Sequence, residues 1–263
     1  MSFQHLDLRR PSLSGFVGID NYASAMALPE VQHSWTSTAT FAVMAVAIVV
    51  TLSVCFALLL NEKFKGAGVL QVLLLVPWSI PLVVSGSLWK WIFNENFGIA
   101  NEILVRLGVT PYYQAFIVQQ WPAMLILLLA YVWVETPLPT LLIYASLQSV
   151  PQELYEQSKI DGASAWHRFR TVTFKWIRPI FFIVLVYETL MDIRAFDLVW
   201  VVTSGGPADF TALISFFTWR MAFANLNFGT ATALSLILVS ISILLIYLYY
   251  RLLRVGRLRL RIR

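Results

Sequence analysis

The sequence contains several apolar stretches that are each long enough to cross a lipid bilayer as a helix. The first of them, residues 34–61, has no charged side chain at all. Only 13% of the 263 residues are charged and 59% are hydrophobic, whereas a soluble domain of this length would be about 25% charged. We therefore predict an all-α fold, a polytopic transmembrane bundle with five spans. The predicted spans are 34–61, 66–89, 117–147, 180–202 and 229–250.

Lysine and arginine are distributed unequally between the two sides that five spans define. One side receives the 61–65 turn, the 149–178 loop and the C-terminal tail, and the other side receives far fewer basic residues. The positive-inside rule places the loop and the C terminus in the cytoplasm. The side rich in basic residues carries Lys63, Lys65, Lys159, Arg168, Arg170, Lys175, Arg178, Arg251, Arg254, Arg257, Arg259, Arg261 and Arg263. The other side carries Arg9, Arg10, Arg106 and Arg220. The net charge of +5 thus reflects topology, and membrane lipid rather than nucleic acid is the expected partner.

The 149–178 loop is the one long polar segment inside an otherwise apolar sequence. Its first part is predicted to be a short helix, because Glu153 near the start and Lys159 near the end both suit the helix dipole. Gly162 is a natural stop for that helix, and a second helix is expected from about Ser164. The residues alone favour an amphipathic helix that only holds the loop on the membrane surface.

Charged residues within the predicted spans indicate a cavity or a protein partner, because a charge that faces lipid is costly. Glu188 and Asp192 lie four residues apart and share one helix face, with no cation at the neighbouring helical positions. They are expected to pair with a partner subunit or to line a water-filled path. Glu135 lies in a proline-interrupted stretch that could line the same path. Arg194 and Asp197 are predicted to form a structural ion pair near the outer end of the span.

No catalytic constellation or metal motif is found in the sequence. There is no Gly-x-x-x-x-Gly-Lys-Ser/Thr phosphate-binding loop, so any ATP must be bound by another chain. The three histidines are far apart, and Cys55 is the only cysteine. We expect no enzymatic activity, no metal and no cofactor in this chain. Two alternatives stay open: a secondary transporter, although no internal repeat is visible, and an intramembrane enzyme that uses Glu188 and Asp192 as acid and base.

The polar loop resembles the loop shared by the membrane subunits of binding-protein-dependent ABC importers. That family has a Glu-Ala-Ala triplet followed three residues later by glycine, and here the triplet reads Glu156-Gln157-Ser158, with Asp161-Gly162-Ala163 after it. Lys175 stands where the family usually has a proline. Further similarity to the carbohydrate-type, maltose-like or glycerol-phosphate-like branch lies in Val76-Pro77-Trp78, Leu147-Gln148, Phe196-Asp197-Leu198 and Thr203-Ser204-Gly205-Gly206-Pro207.

The resemblance implies that the loop is a coupling helix, which sits in a cleft of a cytoplasmic ATPase subunit. The implied ATPase-coupling residues are Glu153, Leu154, Tyr155, Glu156, Ser158, Asp161, Gly162 and Ala163. The implied sugar-binding positions are Val134, Glu135, Leu138, Glu188, Met191 and Asp192. These positions are more acidic than is common in the family, which favours a neutral sugar or a cationic solute over glycerol phosphate.

The resemblance also implies an assembly in a prokaryotic plasma membrane. A second permease subunit, two ATPase subunits that bind ATP and magnesium, and an extracytoplasmic solute-binding protein are the expected partners. The expected organisation is an external segment at 1–33, a permease domain at 34–254 and a basic cytoplasmic tail at 255–263. Residues 7–22 look like the external stretch that follows a first helix in six-span relatives, which suggests a late start codon or a five-span variant.

Overall fold

The computed structural model describes residues 1–7, 9, 15–62 and 64–260, with side chains as far as Arg251. Arg10, Lys63, Arg261 and Arg263 lie outside the described residues, as do the side chains of Arg254, Arg257 and Arg259. The described part of the chain is predominantly helical, as predicted. Its first elements are β1 (Gln4–His5), β2 (Gly15–Phe16), α1 (Asp20–Ala27), α2 (Pro29–Asn61), α3 (Ala67–Trp78), α4 (Leu82–Ile92) and α5 (Ile99–Arg106). They are followed by α6 (Gln120–Glu135), α7 (Pro137–Gln148), α8 (Gln152–Ile160), α9 (Ala165–Arg168), α10 (Phe174–Ile193), α11 (Ile214–Trp219) and α12 (Phe228–Leu260).

The long helix α2 lies at the centre of the bundle and packs against α6, α7 and α10. Small residues make this close packing possible, since Ala45 and Ala57 are completely buried. Phe41 contacts Tyr131 of α6 edge to face, with ring centroids 5.3 Å apart. Ser53 donates a hydrogen bond of 3.1 Å to the carbonyl of Thr136, between α6 and α7. These contacts therefore hold α2 against the point between α6 and α7 at which the third predicted span bends.

Two of the predicted spans are broken helices. The second, expected at 66–89, consists of α3 and α4, whose axes differ by 96°. Pro81 immediately precedes α4 and has no N–H with which to continue a helix, which accounts for the break. The third, expected at 117–147, consists of α6 and α7 with a 42° bend at Pro137. By length and hydropathy, Pro29–Asn61 and Phe228–Arg251 can each cross a membrane alone, and each bent pair can form one further crossing. The number of five spans stays a prediction.

The fourth predicted span has different boundaries from those expected. A π-helical turn, Phe169–Thr173, joins α9 directly to α10, so helix runs without interruption from Ala165 to Ile193. The helix therefore begins before residue 180, where the predicted span starts, because Pro179 is accommodated inside α10. The helix also ends before residue 202, where the predicted span ends. After a break at Arg194–Phe196, a separate turn with a π-helical part, Val199–Thr203, follows.

The N-terminal segment packs against the start of α12. The Asn21 side-chain amide donates hydrogen bonds to the carbonyls of Ser2 and Gln4, at 2.8 Å and 2.9 Å. The backbone N–H of Phe228, the first residue of α12, donates to the carbonyl of Leu6 at 2.9 Å. The segment therefore satisfies backbone groups that the beginning of α12 would otherwise leave unpaired.

Replacing Gly229 with valine should loosen this N-terminal contact. A Cβ at Gly229 would lie 2.7 Å from the carbonyl oxygen of Gln4, which is backbone and cannot rotate away. Overpacking of this kind costs about 1–3 kcal/mol. We expect a lower melting temperature for the purified chain and faster proteolysis near residue 20. The matched control is Gly15→Ala, where a Cβ meets no atom within 4 Å. Equal melting temperatures for the two variants would contradict the expectation.

Candidate functional site

The α8 helix and the corner after it form an exposed projection. Gly162 has a φ of +71°, the left-handed conformation that favours glycine, and its N–H donates to the carbonyl of Lys159 at 3.0 Å. The predicted glycine stop is thereby confirmed. Beside the corner, Ile160 is 85% exposed.

The sequence-predicted coupling residues fall into two groups by exposure. Glu153, Glu156, Asp161 and Gly162 are exposed, and Leu154, Tyr155, Ser158 and Ala163 are half-buried. The first group is accessible to another protein. The second group faces the chain itself, so it can connect α8 to the rest of the molecule.

A cleft of about 1020 Å³ separates α8 from the ends of α2 and α7. Acidic and basic side chains face each other across it, with Glu62 on one side and Lys159 and Arg168 on the other. A second cleft of about 660 Å³ lies between α8 and the α9 segment, beside Gly162. Helix α8 is thus flanked by open space and makes no extensive packing contact with any other described helix.

The acidic residues of α10 are enclosed within the bundle. Glu188 and Asp192 both have 0% exposure, and none of their four carboxyl oxygens has a hydrogen-bond partner. Within the described residues, no basic side chain forms an ion pair with either of them. Glu135, at the end of α6, is half-buried and lies within electrostatic reach of both. The structure thus brings together the three acids that the sequence singled out.

Tyr131 belongs to the same cluster, and sequence reasoning missed it. It lies one helical turn before Glu135 on α6 and is 1% exposed. Its hydroxyl lies beside the Asp192 carboxyl, but the geometry falls short of a hydrogen bond. Tyr131 lies four residues before Glu135 and therefore on the same helix face, and this spacing could have indicated from the sequence that Tyr131 belongs to the cluster.

The other predicted sugar-binding residues also lie in closed surroundings. Val134 is buried, and Leu138 and Met191 are half-buried. None of the six predicted positions is exposed.

The predicted ion pair between Arg194 and Asp197 is not formed. Helix α10 ends at Ile193, so the two residues do not share a helix and the i, i+3 spacing does not bring them together. The Arg194 guanidinium instead donates to the carbonyl of Leu190 at 3.1 Å and contacts the Met191 sulfur at 3.7 Å.

A bidentate ion pair lies elsewhere, between Asp209 in a loop and Arg220 after α11. The two nitrogen–oxygen distances are 2.7 Å and 2.9 Å. The hydrogen bond from Arg220 lowers the pKa of Asp209. The guanidinium also lies over the Phe217 ring, 5.0 Å from its centroid. The pair fixes the loop to the segment after α11.

The arrangement of helices matches that of a chain of known structure. The chain superposes with a TM-score of 0.83 on a chain in the crystal structure of a bacterial ABC transporter involved in the import of the acidic polysaccharide alginate. The match covers 91% of this chain and 84% of that one at 20% sequence identity, so it speaks for the fold alone.

The sequence places the chain within one family. Residues 49–256 match the binding-protein-dependent transport system inner membrane component family, and the chain belongs to it. The trehalose/maltose transport system permease protein MalF of Thermococcus litoralis is 37% identical over 214 residues, covering 81% of this chain and 70% of that protein. The sn-glycerol-3-phosphate transport system permease protein UgpA of Agrobacterium fabrum is 30% identical over 220 residues, covering 82% and 73% respectively. The predicted family, fold class and general function are thereby confirmed.

Proposed function

We propose that this chain translocates a sugar or related polyol, delivered by an extracytoplasmic binding protein, as one of two permease subunits in an ATP-driven importer. The observation that carries the proposal is the exposed α8 helix with its glycine corner, which offers a cytoplasmic ATPase a protruding contact surface. The relatives named for trehalose, maltose and glycerol phosphate support a carbohydrate-type solute.

The proposed assembly places the chemistry of ATP hydrolysis on other subunits. Two ATPase subunits bind ATP and magnesium, and each holds one coupling helix, contributed by this chain or by the second permease. The coupling loop and the C terminus then lie in the cytoplasm, in agreement with the excess of lysine and arginine on that side. Closure of the ATPase dimer moves α8, and the movement opens the solute path to one side of the membrane at a time.

The carboxyl groups of Glu135, Glu188 and Asp192, the acidic cluster, limit the kinds of solute that the chain can bind. Carboxyl groups accept hydrogen bonds from hydroxyl donors, and ionised carboxylates repel phosphate. Among the described residues, His, Cys, Asp and Glu side chains form no group of three that could hold a metal ion. Glu135, Glu188 and Asp192 are therefore better suited to a solute with several separated donors than to a single ion. Since Glu188 and Asp192 are closed off here, the solute reaches them in another state of the transport cycle.

Reconstitution tests the function directly. The chain would be assembled in proteoliposomes with its second permease, ATPase subunits and binding protein, and uptake of radiolabelled trehalose, maltose and glycerol 3-phosphate would be measured. We expect ATP-dependent uptake of a neutral sugar and stimulation of ATP hydrolysis by the loaded binding protein. Uptake without any ATPase subunit would contradict the proposal and favour a secondary transporter. Preference for glycerol 3-phosphate would contradict the solute assignment alone.

A further inference from the structure

Three hydrogen bonds link α8 and the residues on either side of it to one continuous helix. This helix, here called the rod, consists of α9, the π-helical turn and α10. The indole N–H of Trp176 donates to the Ser149 hydroxyl at 2.9 Å. The Arg168 guanidinium donates to the carbonyl of Ala163 at 2.7 Å. The hydroxyl groups of Tyr155 and Thr173 lie 3.1 Å apart, within hydrogen-bonding distance. Ser149 and Ala163 lie outside α8, so of these three bonds only the one between Tyr155 and Thr173 joins α8 itself to the rod.

The position of Thr173 gives this bond its importance. Thr173 is the last residue of the π-helical turn, is 5% exposed and lines the same 1020 Å³ cleft as Tyr155. Single π-helical turns inside longer helices are frequently found at functional sites. Tyr155 lines the 1020 Å³ cleft, which leaves α8 without close packing on that side. A displacement of α8 therefore reaches the rod through this bond more directly than through side-chain packing.

The far end of the rod carries the acidic cluster. From Thr173 to Asp192 the helix rises about 28 Å at 1.5 Å per residue. Both Glu188 and Asp192 lie on this same helix, and no proline or glycine other than Pro179 interrupts it. A shift imposed at the π-helical turn can thus change the surroundings of both acids.

We propose that the Tyr155–Thr173 hydrogen bond is the joint that transmits movement of the coupling helix to α10, which makes Tyr155 a positioning residue for transport. The proposal rests on the proposed function and adds the route by which the ATPase acts on the solute site. A bond that served the fold alone would affect assembly and stability. A transmitting bond affects how much solute is moved for each ATP hydrolysed.

Tyr155→Phe tests the joint because it removes one hydroxyl and keeps the ring. In the fully reconstituted transporter, we expect normal assembly, because Tyr155 is half-buried and the variant keeps its ring. The solute transported per ATP should fall about 2- to 10-fold, the factor that corresponds to one hydrogen bond. Thr173→Val should give the same loss, and the double variant should be no worse than either single variant, because both changes remove one interaction. Thr173→Ser keeps the hydroxyl and should behave like the unmodified protein.

The matched control is Thr171→Val in the same π-helical turn. Its exposed hydroxyl donates to the carbonyl of His167 within its own helix, at 2.7 Å, and makes no hydrogen bond to α8. We expect an unchanged ratio of solute to ATP for this variant. An unchanged ratio in Tyr155→Phe, additive losses in the double variant, or loss of assembly in Tyr155→Phe would each overturn the joint. Failure of the unmodified transporter to show ATP-dependent uptake would instead overturn the proposed function.

Discussion

Replacing Gly162 with proline should reduce ATP-driven uptake by roughly 100-fold or more, because proline cannot adopt the backbone conformation found there. Gly162 has a φ of +71°, whereas proline is fixed near −65°. Proline would also remove the N–H that donates to the carbonyl of Lys159. A misplaced proline costs about 3 kcal/mol or more, which corresponds to that factor in the population of the correct corner. The measurement is initial uptake into proteoliposomes, together with copurification of the ATPase subunits.

The control for this prediction separates backbone conformation from bulk. Asparagine tolerates the left-handed conformation better than other residues with a side chain, and a Cβ at Gly162 meets no atom within 4 Å. We therefore expect Gly162→Asn to retain most of the uptake. Both variants should reach the membrane at normal levels, since the corner lies at the surface and outside the bundle. Uptake by Gly162→Pro at the level of Gly162→Asn would show that the corner has no part in coupling.

The features that sequence predicted correctly depend on local chemistry. The stop at Gly162 follows from the conformational freedom of one residue, and the shared face of Glu188 and Asp192 follows from their spacing within one helix. The apolar runs identified the helices of the bundle because bilayer thickness sets their minimum length. Such rules need no knowledge of distant contacts.

The structural features that could not be predicted from the sequence depend on the residues at which helices end and on contacts between distant parts of the chain. The i, i+3 rule applied to Arg194 and Asp197 assumed that α10 continued, but the helix ends at Ile193. Arg220, at the end of α11, pairs with Asp209 in the loop eleven residues before it, and no local spacing rule predicts such a pair. Likewise, no local rule predicts the 3.1 Å approach of Tyr155 and Thr173 across the loop. The sequence also gave no indication that Glu188 and Asp192 would be closed off within a single chain.

The burial of Glu188 leads to a prediction in which stability and function change in opposite directions. Its two carboxyl oxygens have no hydrogen-bond partner, and a buried unsatisfied polar group costs about 1–3 kcal/mol. Glu188→Met, which keeps a similar length without the polar atoms, should therefore raise the stability of the solubilised transporter by about that amount. It should also abolish the stimulation of ATP hydrolysis by solute, if the acid is retained for solute recognition at the expense of stability. Thermal unfolding and ATPase assays on one preparation measure both effects.

Thr189, the next residue on α10, provides the opposite control for Glu188→Met. Its hydroxyl is satisfied, because it donates to the carbonyl of Leu185 at 2.7 Å and lies 3.0 Å from the Tyr249 hydroxyl. Thr189→Val should therefore lower stability by about 0.5–1.5 kcal/mol and leave solute stimulation in place. Lower stability in Glu188→Met would mean that a cation of a partner subunit pairs with this carboxylate. Because Glu188 has 0% exposure in this chain, such pairing would require α10 to move, and a loss of stability would therefore contradict the closed arrangement of the cluster.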